Sequence, residues 1–103
     1  MIKFFNKIFD VSRMEWKKDL EDNDYSELVE VGSFNGYIQQ ASAEMVERFG
    51  LSFQTSFSIW CGINEDIEVG DEINGDDKTL TVRAIKKNDY GSNPHLQLLV
   101  DGG

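Results

Sequence analysis

Between Ile63 and Asp77 the chain carries seven carboxylates, Glu65, Asp66, Glu68, Asp71, Glu72, Asp76 and Asp77, with no basic side chain among them. Oxygen ligands at this density suggest calcium, a decoy for proteins that bind nucleic acid, or the solvated edge of a small β-fold. A helix–loop–helix calcium site needs oxygen donors at positions 1, 3 and 5, glycine at 6 and glutamate at 12. Starting at Asp71, position 3 is Ile73 and position 12 is Val82; starting at Asn64, position 6 is Val69 and position 12 is Gly75. Both registers fail, and no metal site is assigned. General acid–base chemistry needs one carboxyl raised by burial. These acids read as turn residues that water keeps ionised. Cys61 and His95 are the single cysteine and histidine, and nothing local supports a nucleophile–base dyad between them. Cys61, between Trp60 and Gly62 at the end of an apolar run, reads as a buried, inert thiol. No Walker loop, dinucleotide fingerprint, nucleophile elbow or zincin motif is present. No catalytic residue and no cofactor are assigned, and the expectation is a protein that is not an enzyme.

The elements that carry these residues belong to one domain of 103 residues, 40% hydrophobic and 12% aromatic, a globular composition. A lone cysteine excludes an internal disulfide and a cysteine-based zinc site. No stretch approaches the roughly 20 apolar residues of a membrane span. Lys7, Asp10 and Arg13 interrupt the apolar start as no signal peptide would, so a reducing cytoplasm is the expected place of synthesis. The net charge of −9 is unevenly spread. Met1–Lys18 has five bases and two acids, whereas Asp19–Glu30 has six acids and no base. Such a balance disfavours tight wrapping of nucleic acid, which Lys and Arg drive by displacing counterions.

Residues 1–18 read as a basic amphipathic arm. Ile2, Phe5, Ile8 or Phe9, and Trp16 recur near helical spacing among Lys3, Lys7, Arg13, Lys17 and Lys18. It would lie on a membrane, dock on a partner, or pack back on its own domain. Residues 19–26 form an acidic connection. From residue 27 to 103 the period is that of strands. "ELVEVGSFNGYIQQ" alternates, with Asn35-Gly36 as a hairpin or bulge signal. Ser42 and Gly50 are the expected N-cap and left-handed terminator of a short helix over "AEMVERFG". In "SFQTSFSIWC", Phe53, Thr55, Phe57, Ile59 and Cys61 fall on one face, the other being mostly polar. Glu72–Asn74, a Gly75-Asp76-Asp77 turn, Lys78–Ile85 and "HLQLLVD" complete the pattern. The expected fold is mainly β: a small antiparallel barrel or sandwich of five to six strands, with one short inserted helix and an N-terminal amphipathic helix or arm.

In this order, "GYIQQASAE", "SFSIWC", "DIEVGDEI", "TLTVRAI" and "PHLQLLV" resemble the head-closure (stopper, or head–tail connector) proteins of tailed bacteriophages. Gly36-Tyr37-Ile38-Gln39, Ile67–Ile73 with Gly70-Asp71, Leu80–Ile85 and His95–Val100 stand where that family carries its recurrent segments. The resemblance covers roughly residues 35 to 100. It implies a homo-oligomeric ring in the virion neck, made in the bacterial cytoplasm. A portal or adaptor protein would lie above and a tail protein below. Packaged duplex DNA would pass through the lumen without sequence-specific contact, and no membrane would be involved. By the same analogy Ser42, Glu44, Met45, Glu47, Arg48 and Phe49 form the gate or lumen segment. Ile2, Phe5, Ile8, Phe9 and Trp16 dock on a neighbouring subunit or the portal. The seven carboxylates, if turned inward, repel phosphates over about one Debye length, ~8 Å at physiological salt. Two alternatives stand beside this reading: a tail-completion or tail-terminator protein of similar barrel type, and an acidic DNA mimic that inhibits a host protein.

Overall fold

A computed structural model describes residues 7–51, 55–89, 91 and 93–102. In chain order the elements are β1 (Lys7–Lys18), β2 (Asp24–Gln40), α1 (Ala43–Phe49), β3 (Ser56–Gly62), β4 (Glu72–Gly75), β5 (Lys78–Asn88) and β6 (His95–Asp101). The strands close a barrel in the order β1-β2-β3-β6-β5-β4, every neighbouring pair antiparallel. Closure removes the exposed edges that an open six-stranded sheet would present. The barrel interior is filled by Phe9, Val11, Phe34, Ile59, Cys61, Ile73, Leu80, Val82, Leu96, Leu98 and Val100, contributed by all six strands. Phe9 stacks on Phe34 with ring centroids 5.4 Å apart.

The N-terminal segment corrects the expectation of a helix. From Lys7 it is a strand that pairs with β2 on one side and, over Asp10–Ser12, with β4 on the other. Phe9 and Val11 point inward at a spacing of two, and Val11 lies opposite Ile73. That alternation places two large apolar side chains in a closed interior, which a lone amphipathic helix could not match. The barrel therefore includes β1 as well as the strands after residue 27. Phe9 is a core residue with no exposure, not a docking residue. Ile2 and Phe5 lie outside the described residues, as does Phe53. The acidic connection is a tight hairpin turn: Asp19 Oδ1 accepts the amide N–H groups of Glu21 and Asn23, each at 2.9 Å. Asp22 there adopts a left-handed φ of 63°.

Asn35-Gly36 is not a turn either. It lies within the continuous strand β2, and a Cβ at Gly36 would stand 2.9 Å from the Trp60 carbonyl oxygen of β3. The irregularity of β2 falls four residues earlier. Val11 faces Gly32 while Ser12 faces Glu30, which leaves Val31 as the extra residue of a β-bulge. The turn between β4 and β5 is close to its expected place. Asp76 and Asp77 both have positive φ, 52° and 59°, as a two-residue hairpin turn of the I′ type requires.

Helix α1 forms as its sequence signals. Ser42 caps it by accepting the Met45 amide N–H, and Gly50 ends it at φ 65°. It lies against the outside of the barrel, where Val46 packs with Ala41 and Leu99. Ser58 pairs opposite Leu99 and is buried on that outer side. Strand β3 is thus covered on both faces rather than one.

Candidate functional site: the acidic loop and the projecting ribbon

The acidic loop is organised by a residue that lies far away in sequence. Arg13 follows Val11 on the inward side of β1, and its guanidinium reaches the loop between β3 and β4. Its Nε donates to Asp71 Oδ1 at 2.9 Å and its Nη2 to Asp71 Oδ2 at 2.8 Å, a two-point pairing of planar groups. The same guanidinium meets Asp66 Oδ1 at 3.3 Å and Glu68 Oε2 at 3.4 Å. Asp71, whose side chain is 2% exposed, also accepts the Glu68 amide N–H at 2.8 Å. The Asp71 bond is the chief reason the Arg13 guanidinium is held protonated even more firmly than usual. Asp71 is therefore a buried structural partner, not a solvated turn residue. The solvent-exposed contacts to Asp66 and Glu68 add little by comparison.

In the turn between β4 and β5, Asp76 takes Lys7 on one oxygen at 3.2 Å and Lys78 on the other at 3.3 Å. These two lysines hold its carboxyl below the ordinary aspartate range. Of the seven carboxylates, Asp66, Glu68, Asp71 and Asp76 are paired in this way. Glu72 accepts from the Asn74 side-chain amide at 3.3 Å, and Glu65 packs near Gly62. Among the described residues no group of three or more His, Cys, Asp or Glu is arranged to hold a metal ion. In the densest cluster, the Arg13 guanidinium occupies the centre of the carboxylates.

Cys61 is fully buried in the barrel, and its thiol is pushed up to about 12, first by burial and then by the Glu65 carboxylate. A thiol so placed stays protonated and unreactive at neutral pH. An aromatic disulfide reagent should leave Cys61 untouched in native protein and titrate one thiol per chain after denaturation. Rapid native labelling would contradict the closed barrel. His95 has both ring nitrogens engaged: Nδ1 lies 2.9 Å from the Asn93 carbonyl oxygen, and Nε2 lies 3.2 Å from the Asn88 side-chain amide. The carbonyl can only accept, so Nδ1 carries the proton and Nε2 accepts from Asn88. That is a structural role.

The segment Ser42–Phe49 is α1 with its cap. Glu44 and Arg48 pair across one turn at 3.3 Å, and Met45 Sδ receives the Gln97 side-chain amide at 3.8 Å. Phe49 remains 44% exposed. Ala43, Val46, Glu47, Gly50 and Leu51 line an open hollow beside it.

A feature not read from the sequence is the ribbon formed by the outer halves of β1 and β2. β1 is joined to β4 only over Asp10–Ser12, and β2 to β3 only over Gly36–Gln40. Beyond those limits the two strands continue as a pair to Lys18 and Asp24, with no third strand beside them among the described residues. Six residues at about 3.4 Å each carry the arm roughly 20 Å past the barrel, and the molecule measures 51 × 29 × 26 Å. On one face Met14 lies opposite Leu28, and Trp16 opposite Ser26. Trp16 is 78% exposed. The expected docking residues thus separate. Ile8 is exposed on the barrel and Trp16 on the ribbon, which also carries exposed Met14, Leu28 and, on its other face, Tyr25, with Leu20 in the turn at its tip. On the ribbon's other face Lys17 pairs with Glu27 at 2.7 Å.

No family model matches the chain, and no curated protein matches it in sequence. Among solved structures it is similar to the solution structure of protein SF1141 from Shigella flexneri 2a. The identity is 13%, the TM-score 0.76, and the match covers 99% of this chain and 96% of that one. The likeness is one of fold.

Proposed function

We propose that this chain is a structural component of a tailed-phage neck, a head-closure or head–tail connector protein. It would form a ring below the portal, retain packaged DNA and offer the surface to which the tail attaches. The observation that carries the proposal is the projecting ribbon. A two-stranded hairpin is marginal on its own in water, and this one displays Trp16, Met14 and Leu28 exposed, with no strand or helix over them among the described residues. Apolar surface of that kind marks an assembly contact. The order of segments that resembles the connector family supplies the setting, since those segments lie mostly in the barrel strands and the loop that Arg13 fastens, the first of them running on into α1.

The paired acids adjust one detail. With Asp66, Glu68, Asp71 and Asp76 engaged by Arg13, Lys7 and Lys78, the loop offers phosphates less repulsion than a bare run of seven charges. The same pairing weakens the case for an acidic decoy, which needs free carboxylates on one face.

The test is direct. Purified full-length protein, imaged in negative stain and measured by light scattering across a concentration series, should form closed rings of uniform diameter. Those rings should bind end-on to a phage portal assembly. A protein that stays monomeric throughout would overturn the assignment.

A further inference from the structure

The ribbon has two edges of unlike charge. On the β1 side, Met14–Lys18 carries Lys17 and Lys18 against Glu15. On the β2 side, Asp24–Glu30 carries Asp24, Glu27 and Glu30 with no base. Neither edge has a strand beside it among the described residues. An unpaired edge exposes a row of N–H and C=O groups ready to take another strand, and opposite charges across such a pair favour it while like charges oppose it. Within one copy Lys18 lies opposite Asp24 and pairs with it at 3.5 Å, and Lys17 reaches diagonally to Glu27 at 2.7 Å, which offsets the Glu15 carboxylate standing opposite Glu27.

We infer that the acidic β2 edge of one copy takes the basic β1 edge of a second copy of this chain, extending the ribbon into a continuous sheet of arms. The inference rests on the ring reading and names the contact that would build it. Its geometry is self-consistent. β1 runs outward from the barrel and β2 runs back, so arms pointing the same way place β2 antiparallel to the next β1, the arrangement already present inside each ribbon. Joining unlike edges is head-to-tail association, which closes into a ring when the rotation between copies allows it. Pairing like edges would set lysine against lysine or carboxylate against carboxylate. Side-by-side arms also bring Met14, Trp16 and Leu28 of successive copies into one apolar surface, where each arm alone leaves them in water.

A charge-swapped chain tests this while keeping the two cross-strand pairs of the ribbon. In the fourfold variant Lys17→Glu, Lys18→Glu, Asp24→Lys, Glu27→Lys, the Lys17–Glu27 and Lys18–Asp24 pairs are inverted but kept, and only the exposed Lys18–Asp22 contact at 3.4 Å in the turn is lost. It should fold as the natural chain does, with matching circular dichroism, and assemble with itself. When it is mixed with isotopically labelled natural protein, native mass spectrometry should show mixed rings reduced roughly tenfold or more below the statistical level. Two like-charge oppositions per contact, at up to about 1 kcal/mol each, set that scale. Free mixing, preferential mixing or a folded variant that stays monomeric would each overturn the edge pairing while rings of the natural protein leave the ring reading standing. Failure of the natural protein to assemble would overturn both.

Discussion

Replacing Asp71 by alanine should lower the stability of the fold by about 3 kcal/mol, because it strips the buried partner from Arg13. Removing one member of a buried ion pair costs about 3–5 kcal/mol. The lower end applies here, since the Arg13 side chain is 22% exposed and keeps its contacts to Asp66 and Glu68. For a domain of this size the midpoint of thermal unfolding should fall by roughly 12–24 °C. The loss exceeds that of an ordinary surface pair because Asp71 also accepts the Glu68 amide N–H. Its own backbone carbonyl accepts from the Val82 amide at 2.9 Å, tying the loop to β5. Arg13→Met should cost a similar amount, by leaving the carboxylate buried without its cation. The double variant Arg13→Met, Asp71→Leu should recover much of the loss, as replacement of whole buried pairs commonly does. Urea and thermal melts followed by circular dichroism measure all three. An Asp71→Ala protein within about 0.5 kcal/mol of the natural one would show that the loop is not fastened in this way.

The second large effect separates two aromatic residues of β1 that lie seven positions apart. Phe9→Ala should destabilise by about 3–5 kcal/mol, the usual result of emptying a phenylalanine site in a packed core. Phe9 has no exposure and stacks on Phe34, so the barrel cannot easily collapse around the gap. Trp16→Ala, out on the ribbon, should change the stability of the single chain by no more than about 0.5 kcal/mol. Equal losses at both positions would contradict the strand, since only a segment buried along its whole length would respond in that way.

The sequence made much of the barrel legible. Alternation in Phe57–Cys61, the Ser42 cap, the Gly50 terminator and the aspartate turn all reported local chemistry, and each is found close to where the pattern put it. The alternation of Leu80, Val82 and Ala84 holds only to Val82, because a bulge before Ala84 turns that residue outward to the cluster under α1. What stayed hidden depended on partners distant along the chain. β1 shows a period of two only at Phe9 and Val11, because it leaves the barrel just beyond. With Ile8 outward and Trp16 on the arm, the apolar residues fell at intervals that imitate a helix. Asp71 in "VGDEI" looks like any solvated turn residue until Arg13, 58 positions away, closes on it. Ser56 and Ser58 read as a wet face; both are buried, and Ser58 shares its side of the sheet with the Leu99 that packs under α1. Of the residues expected at an interface, Ile8 and Trp16 stand at the surface, yet the signal for the ribbon itself was available only as an acidic turn ahead of one alternating stretch.

Strands β1 and β2 run from the barrel wall into the arm with their chain unbroken, and this gives the arm a mechanical character. It is a lever continuous with the barrel wall and not a tether. A sideways push on its tip is resisted by the same hydrogen-bonded ladder that seats Phe9 and Phe34, so force applied twenty ångströms away arrives as shear on the middle of the core. The bulge at Val31 is the one irregularity along that path and the natural place for flexing. Arg13, gripping Asp71 at the entry to β4, acts as a brace that shares the load with the neighbouring strand.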